Sequence, residues 1–85
     1  MLYRIYTERK RVKAIRDIVS SHYEGYTLTG ATGYWRKTRE KSLIVEIITE
    51  AKELDKIRII AEKIKSLNKQ EAVLIQEIAN NQLLV

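Results

Sequence analysis

The stretch that most constrains the fold spans residues 25–48, GYTLTGATGYWRKTREKSLIVEII, which has the pattern of two β-strands joined by a short cationic turn. The residues up to Trp35 divide into two alternating sets, as the side chains of a strand point alternately to its two faces. They include Thr and Tyr, which favour strands. Residues 42–49 form a nearly continuous apolar run broken only by Glu46, which is typical of a central strand buried on both faces. We expect one face of that strand to lie on helices and the other against a neighbouring subunit or sheet.

Two glycines interrupt the first of these strands. Gly30 and Gly33 stand just before Tyr34, Trp35 and Arg36. Glycine inside a strand marks a bulge, a bend, or a place where another backbone or a ligand comes close. Two interpretations therefore stay open: a twisted strand with a bulge, or a ligand that approaches bare backbone beside an aromatic ring and an arginine.

The segment before the hairpin predicts a strand and a helix. Residues 2–6 alternate, with Tyr3 and Ile5 on one face. Thr7 is the predicted N-cap of a helix that runs to about His22, and Gly25 is placed to end this segment. The apolar residues of the helix recur at helical spacing and form one stripe: Val12, Ile15, Ile18, Val19 and Tyr23.

The segment after the hairpin predicts a second helix over residues 55–67 and a fourth strand over residues 71–78. Asn80 and Asn81 predict a turn, because asparagine tolerates positive φ. The apolar residues 83–85 could add a short fifth strand at the C-terminus or cross to another subunit.

The order β-α-β-β-α-β predicts a single domain over residues 1–85, an α+β ferredoxin-like fold with two helices on one face of an antiparallel sheet. A core built from 85 residues is small. Many candidate positions on the uncovered face are apolar, and an exposed apolar face usually marks an interaction surface. We therefore expect self-association through that face.

The composition restricts the partners and the chemistry. A net charge of +5 favours an anionic partner, although a cluster of basic residues can also be a solvated surface. The chain has no cysteine and one histidine, His22, which lacks partners at metal-ligand spacing, so we expect neither a metal nor a cofactor. No apolar run approaches the length of a membrane span and no signal peptide is recognisable, so we expect a cytoplasmic protein without membrane contact.

The motif Gly25-Tyr26-Thr27-Leu28-Thr29, followed by Gly33-Tyr34 and Arg36, resembles the second strand of nitrogen-regulatory PII proteins. With the element order, this makes the chain similar to small members of the PII-like superfamily, which includes CutA-type proteins. The resemblance implies a homotrimer whose sheets line a central core. It also implies ligand clefts between subunits, where PII itself binds adenine nucleotides.

The chain departs from the PII pattern at three places. Trp35 stands where the family has a second glycine, and the long effector loop is reduced to residues 36–41. The glycine-rich, arginine-bearing phosphate loop before the last strand is replaced by residues 66–70, SLNKQ. Regulation of a PII target through the effector loop is therefore not expected.

Three functional classes follow. The first is a non-enzymatic, homo-oligomeric protein that binds an anionic, nucleotide-like molecule at intersubunit clefts, as a sensor or as a sponge that sequesters a nucleotide signal. Arginine suits phosphate or carboxylate, and an aromatic ring could stack on a base. The expected ligand-binding residues are Thr29, Gly33, Tyr34, Trp35, Arg36, Lys37 and Arg39.

The alternatives are an RNA-binding module and a small ferredoxin-like enzyme. RNA-recognition modules share the element order, and Tyr3 stands where a strand-one aromatic would stack a base, although the third strand lacks platform aromatics. An enzyme would need a positioned acid, base or nucleophile. Glu46 is the candidate, because burial in an apolar strand would raise the pKa of its carboxyl; a salt bridge or hydrogen bond across the sheet or a subunit interface is the alternative role.

Overall fold

Six elements follow one another along residues 1–79, which are the residues that the computed structural model describes. They are β1 (Leu2–Glu8), α1 (Val12–Ser20), β2 (Thr27–Trp35), β3 (Thr38–Ile48), α2 (Leu54–Asn68) and β4 (Leu74–Ile78). The predicted turn at Asn80 and Asn81 and the predicted fifth strand lie outside the described residues.

The four strands form one sheet in the order β2-β3-β1-β4, and every neighbouring pair is antiparallel. Both helices pack on the same face, which we call the helix-side face; the other is the open face. This arrangement confirms the predicted α+β, ferredoxin-like fold.

The core lies between the helices and the helix-side face. The two central strands supply about half of the core residues, because every second residue of β1 and β3 lies on the helix-side face. The strand contribution comprises Tyr3, Ile5, Leu43, Val45 and Ile47, and the helix contribution comprises Ile15, Val19, Ile57, Ile60, Ala61 and Ile64. Tyr3 and Ile5 share a buried face, as their alternation predicts.

The single chain buries β3 on its helix-side face, as predicted, and burial of the other face against a neighbouring subunit stays a prediction. β3 is central, between β2 and β1, and Leu43, Val45 and Ile47 are buried on its helix-side face. Ile44 and Glu46 are half-buried on the open face, and Ile48 is 56% exposed. The apolar run therefore provides one core surface and one uncovered surface.

The hairpin turn is shorter than predicted. β2 and β3 pair without interruption from Thr27 opposite Glu46 to Trp35 opposite Thr38, so only Arg36 and Lys37 lie in the turn. The predicted six-residue turn over residues 36–41 is wrong, and Arg39 and Lys41 belong to β3. These polar residues pair as a strand because β2 supplies a ladder of hydrogen bonds, although their composition is typical of a loop.

Three predicted element ends also differ from the structure. Thr7 is not an N-cap: it lies buried within β1, where its hydroxyl donates a hydrogen bond to Gln70. α1 begins after Arg11, whose φ is 53° and whose side chain makes no capping hydrogen bond, and it ends at Ser20. β4 begins at Leu74, three residues later than predicted, because only residues 74–78 pair with β1.

Candidate functional site

A groove of about 710 Å³ lies at the end of the sheet where β1 stops. β1 ends at Glu8, opposite Ser42, whereas β2 and β3 continue as a two-stranded ribbon. The groove fills the space beside that ribbon, and its volume is within the range of small-molecule sites. Its lining comes from both central strands, from β2 and from the segment before β4: Tyr6, Thr7, Glu8, Gly33, Tyr34, Trp35, Glu40, Ser42 and residues 69–74.

The ribbon, residues 32–41, is called the arm here. None of its residues is buried. Its turn places Arg36 at φ 50° and Lys37 at φ 66°, the left-handed conformation that a two-residue type I′ turn requires and that Asn-Gly normally provides. Two non-glycine residues in this conformation store backbone strain at the tip of the arm.

An aromatic ring and a cation meet at the rim of the groove. The indole of Trp35 is 56% exposed, and the guanidinium carbon of Arg36 lies 5.4 Å from its ring centroid. Arg36 Nη2 also lies 3.9 Å from Glu71 Oε2, with both side chains largely exposed. A pair of this kind contributes little to stability, so an anionic ligand can replace Glu71 as the partner of Arg36 at small cost.

Three carboxylates line the groove, and they differ in their partners. Glu8 is paired with Lys10 at 2.9 Å, and Glu71 faces Arg36. Glu40 makes no ion pair within residues 1–79 and is half-buried. Its carboxylate is therefore free to accept hydrogen bonds from amino or hydroxyl groups of a ligand.

The two glycines of β2 accommodate side chains of this chain. A Cβ atom at Gly33 would meet Ser42 Oγ and would lie 3.6 Å from Glu40 Oε1, and a Cβ atom at Gly30 would meet the Arg9 guanidinium. The pairing of β2 with β3 is continuous through both positions. The bulge interpretation is therefore wrong, because the glycines make room for neighbouring side chains within a regular ladder.

The structure divides the predicted ligand-binding residues among three places. Gly33, Tyr34 and Trp35 line the groove. Thr29 lies exposed on the open face of β2, opposite Ile44 and outside the groove lining. Arg36 and Lys37 form the turn, and Arg39 lies on the helix-side face of the arm, opposite Tyr34.

Sequence reasoning missed the rest of the groove lining. Glu40 was assigned to a loop, and residues 69–74 reach the groove through long-range contacts, namely the pairing of β4 with β1 and the hydrogen bond between Thr7 and Gln70. Tyr6 could have been found, because its alternation with Ile5 places it on the open face.

Two residues of the alternative hypotheses have other roles. Tyr3 is fully buried, donating its hydroxyl hydrogen bond to Glu77 Oε2 at 2.8 Å and accepting one from the Glu53 amide at 2.9 Å. It therefore cannot stack on a base. Glu46 is not enclosed in the core: it lies half-exposed on the open face, where Arg4 Nε donates to it at 2.9 Å, so the cross-sheet salt bridge is its role.

The described residues contain neither a metal-binding cluster nor a membrane-spanning helix. Within residues 1–79, no three His, Cys, Asp or Glu side chains come together to hold a metal ion, and His22 Nε2 instead lies 3.5 Å from Lys63 Nζ. No helix in this part of the chain is long and apolar enough to cross a bilayer.

Comparison with known proteins identifies the fold. No family model matches the sequence, and no curated protein matches it significantly. A solved structure of a DUF3240 family protein from Shewanella baltica is 16% identical, with a TM-score of 0.69 over 99% of this chain and 94% of that one. A phage SAM lyase in its apo state is 15% identical, with a TM-score of 0.69 over 87% of this chain and 75% of that one. Both are small ferredoxin-like folds, and at these identities the likeness establishes the fold alone.

Proposed function

We propose that this protein is a non-enzymatic, homo-oligomeric binder of a small nucleotide-like molecule, which it holds in the groove beside the arm. The observation that carries the proposal is the groove itself, which combines a suitable volume with an exposed indole and a cation at its rim. Trp35 offers a face for a base or another flat ring. Arg36 and Lys69 supply positive charge for a phosphate or carboxylate, and Glu40 supplies an acceptor for amino or hydroxyl groups.

Self-association is the second part of the proposal. The open face carries Leu74 at 62% and Ile48 at 56% exposure, with Leu2, Ile44 and Ile78 half-buried around them. A second copy that covered this face would bury these side chains and would also close the groove from one side. The resemblance to PII-like and CutA-like proteins favours three copies. A cytoplasmic sensor or sequestering protein is the role that fits such an assembly.

Native mass spectrometry of the purified protein, combined with calorimetric titration, tests both parts. The titrants are ATP, adenosine and S-adenosylmethionine, the last because one solved neighbour is a SAM lyase. Saturable binding of one of them by an intact oligomer supports the proposal. Breakdown of S-adenosylmethionine during the titration would overturn the non-enzymatic part, and a monomer that binds none of the three would overturn the whole.

Arg36→Ala tests the anion contact. We expect it to weaken binding of ATP about tenfold, which corresponds to about 1.4 kcal/mol, because the charge-assisted contact at the rim is lost. Lys37→Ala is the matched control, since it removes one positive charge from the same turn at a residue that has neither the Trp35 contact nor the Glu71 ion pair of Arg36. Equal affinities for the two variants would remove Arg36 from the site, and unchanged native mass spectra would show that the oligomer is intact.

A further inference from the structure

The arm separates charge by face. In β3, Arg39 and Lys41 alternate with Thr38 and Glu40, so that the two cations lie on the helix-side face and the carboxylate lies on the open face. The Arg9 amide donates to the Lys41 carbonyl at 2.9 Å. Arg9 thus continues β1 beside Lys41, on the side of the sheet that Ile5 and Thr7 share.

Gly30 gives Arg9 a fixed path across the sheet. A Cβ atom at Gly30 would collide with the Arg9 guanidinium and would also lie 3.7 Å from its Cδ atom. The long side chain therefore runs over bare backbone of β2 and holds its positive charge against the base of the arm. A charge held in this way loses less conformational entropy on binding than a freely rotating side chain.

The three cations have no acidic neighbour on their face. Arg9, Arg39 and Lys41 are all exposed, and none of them makes an ion pair within the described residues. The carboxylates of the same region, Glu8 and Glu40, lie on the open face. Side chains two residues apart on one strand face are separated by about 7 Å, so Arg39 and Lys41 form a short line of positive charge.

An exposed aromatic ring stands beside that line. Tyr34 is directly opposite Arg39 in the ladder and is 72% exposed. A flat ring next to unpaired cations is the combination that binds single-stranded nucleic acid, because bases stack on the ring while the cations neutralise phosphates. An acidic protein partner would use the charges but would leave the ring without a comparable role.

We propose that the helix-side face of the arm binds single-stranded nucleic acid, with phosphates on Arg9, Arg39 and Lys41 and a base stacked on Tyr34. This face differs from the sheet surface that RNA-recognition modules use, where Tyr3 would have been needed. Of the four residues it uses, only Tyr34 also lines the groove, so the three phosphate contacts are independent of the small ligand proposed above.

Fluorescence anisotropy with a labelled single-stranded RNA of about 12 nucleotides tests the proposal, because single-strand sites span about 4–16 nucleotides. The test variant is Arg39→Gln with Lys41→Gln, and its matched control is Lys52→Gln with Arg58→Gln. Both pairs remove two exposed charges that make no ion pair within the described residues. We expect the test variant to bind at least tenfold more weakly and the control less than threefold. The slope of log affinity against log salt should fall by about 1.4 in the test variant, at about 0.7 per phosphate contact.

A second pair of variants tests the stacking contact. We expect Tyr34→Ala to weaken binding about fivefold or more, whereas Tyr34→Phe, which keeps the ring, should bind as the unaltered protein does. Equal weakening by the two charge variants would overturn the proposal, since net charge alone would then explain the affinity. Complete displacement of the RNA by polyglutamate of the same total charge would also overturn the proposal. So would complete displacement by a mononucleotide at the same concentration as the RNA.

Discussion

At the scale of single residues, two tyrosine hydroxyls at the end of the molecule away from the arm behave in opposite ways. The Tyr3 hydroxyl is fully used, linking Glu77 of β4 to the amide of Glu53, the residue before α2. The Tyr23 hydroxyl is buried and has no hydrogen-bond partner within the described residues. The first hydroxyl connects a strand to a helix start, whereas the second lies near Glu53 without a well-formed hydrogen bond.

Tyr3→Phe should lower the free energy of unfolding by about 1–2 kcal/mol, because it leaves the half-buried Glu53 amide without its acceptor. Urea denaturation followed by circular dichroism measures the change. Tyr6→Phe is the matched control, since Tyr6 lies on the open face of the same strand and its hydroxyl bonds Gln76 in an exposed position. An equal decrease in the free energy of unfolding for Tyr6→Phe would show that the Tyr3 hydroxyl has no special role.

The Tyr23 ring predicts a dependence of stability on alkaline pH. Burial, and then the negative charge of Glu53, raise the pKa of Tyr23 from 10.0 to about 12. The unfolded chain releases this proton first as the pH rises, so stability should be constant below about pH 10 and should fall between pH 10 and 12. Denaturant midpoints across this range should fall less steeply for Tyr23→Phe than for the unaltered protein.

At neutral pH the same substitution should cost nothing, because a buried hydroxyl without a partner contributes no net stability. A clear loss of stability for Tyr23→Phe at pH 7 would indicate that the hydroxyl has a partner in solution.

At the scale of elements, the arm contrasts with the rest of the sheet. An isolated two-stranded hairpin is marginally stable in water, and residues 38–41 pair only with β2 apart from one hydrogen bond from Arg9. The strained turn at Arg36 and Lys37 lies at the far end of this ribbon. We therefore expect the conformation of the arm to depend on its turn and on a bound ligand more than that of any other described element.

Lys37→Gly should stabilise the arm slightly or leave it unchanged, because glycine adopts positive φ without the cost of about 1 kcal/mol that other residues carry. Lys37→Val should destabilise it by at least that amount, since a β-branched residue tolerates this conformation worst. Amide hydrogen exchange of residues 32–41 reports the local effect. Slower exchange in the valine variant than in the glycine variant would contradict the turn geometry.

The elements also show how far the sequence predicts the structure. Periodic apolar residues gave the order of strands and helices, because burial on one face imposes a period of two or about 3.6. The second strand of the arm was missed because Thr38, Arg39, Glu40 and Lys41 have polar side chains on both faces, and only the pairing with β2 defines them. The groove was predicted only through Gly33, Tyr34 and Trp35, since residues 69–74 reach it by pairing that has no local signal.

At the scale of the whole molecule, the sheet separates a closed core from an uncovered surface. Val45 and Ile48 lie on the same strand three residues apart and therefore on opposite faces, one fully buried and the other 56% exposed. Stability of the single copy depends on the first face. Any assembly through the sheet depends on the second.

Val45→Asp should unfold the protein, because a buried charge without a partner costs several kcal/mol. Ile48→Asp should leave the fold intact and weaken self-association. Circular dichroism and light scattering on both variants separate the two effects. A folded Val45→Asp variant would contradict the placement of β3, and an unchanged oligomer in Ile48→Asp would exclude the open face as the interface.

The independence of the arm has a consequence for how such a chain can change over evolutionary time. None of residues 32–41 belongs to the core, so the ribbon can grow or shrink at its turn without disturbing the packing of the helices. Lengthening it by two residues in each strand preserves the pairing and keeps every existing side chain on its face. The length of the arm, its charge and its exposed aromatic surface can therefore vary together, while the remaining strands and helices stay fixed by their packing.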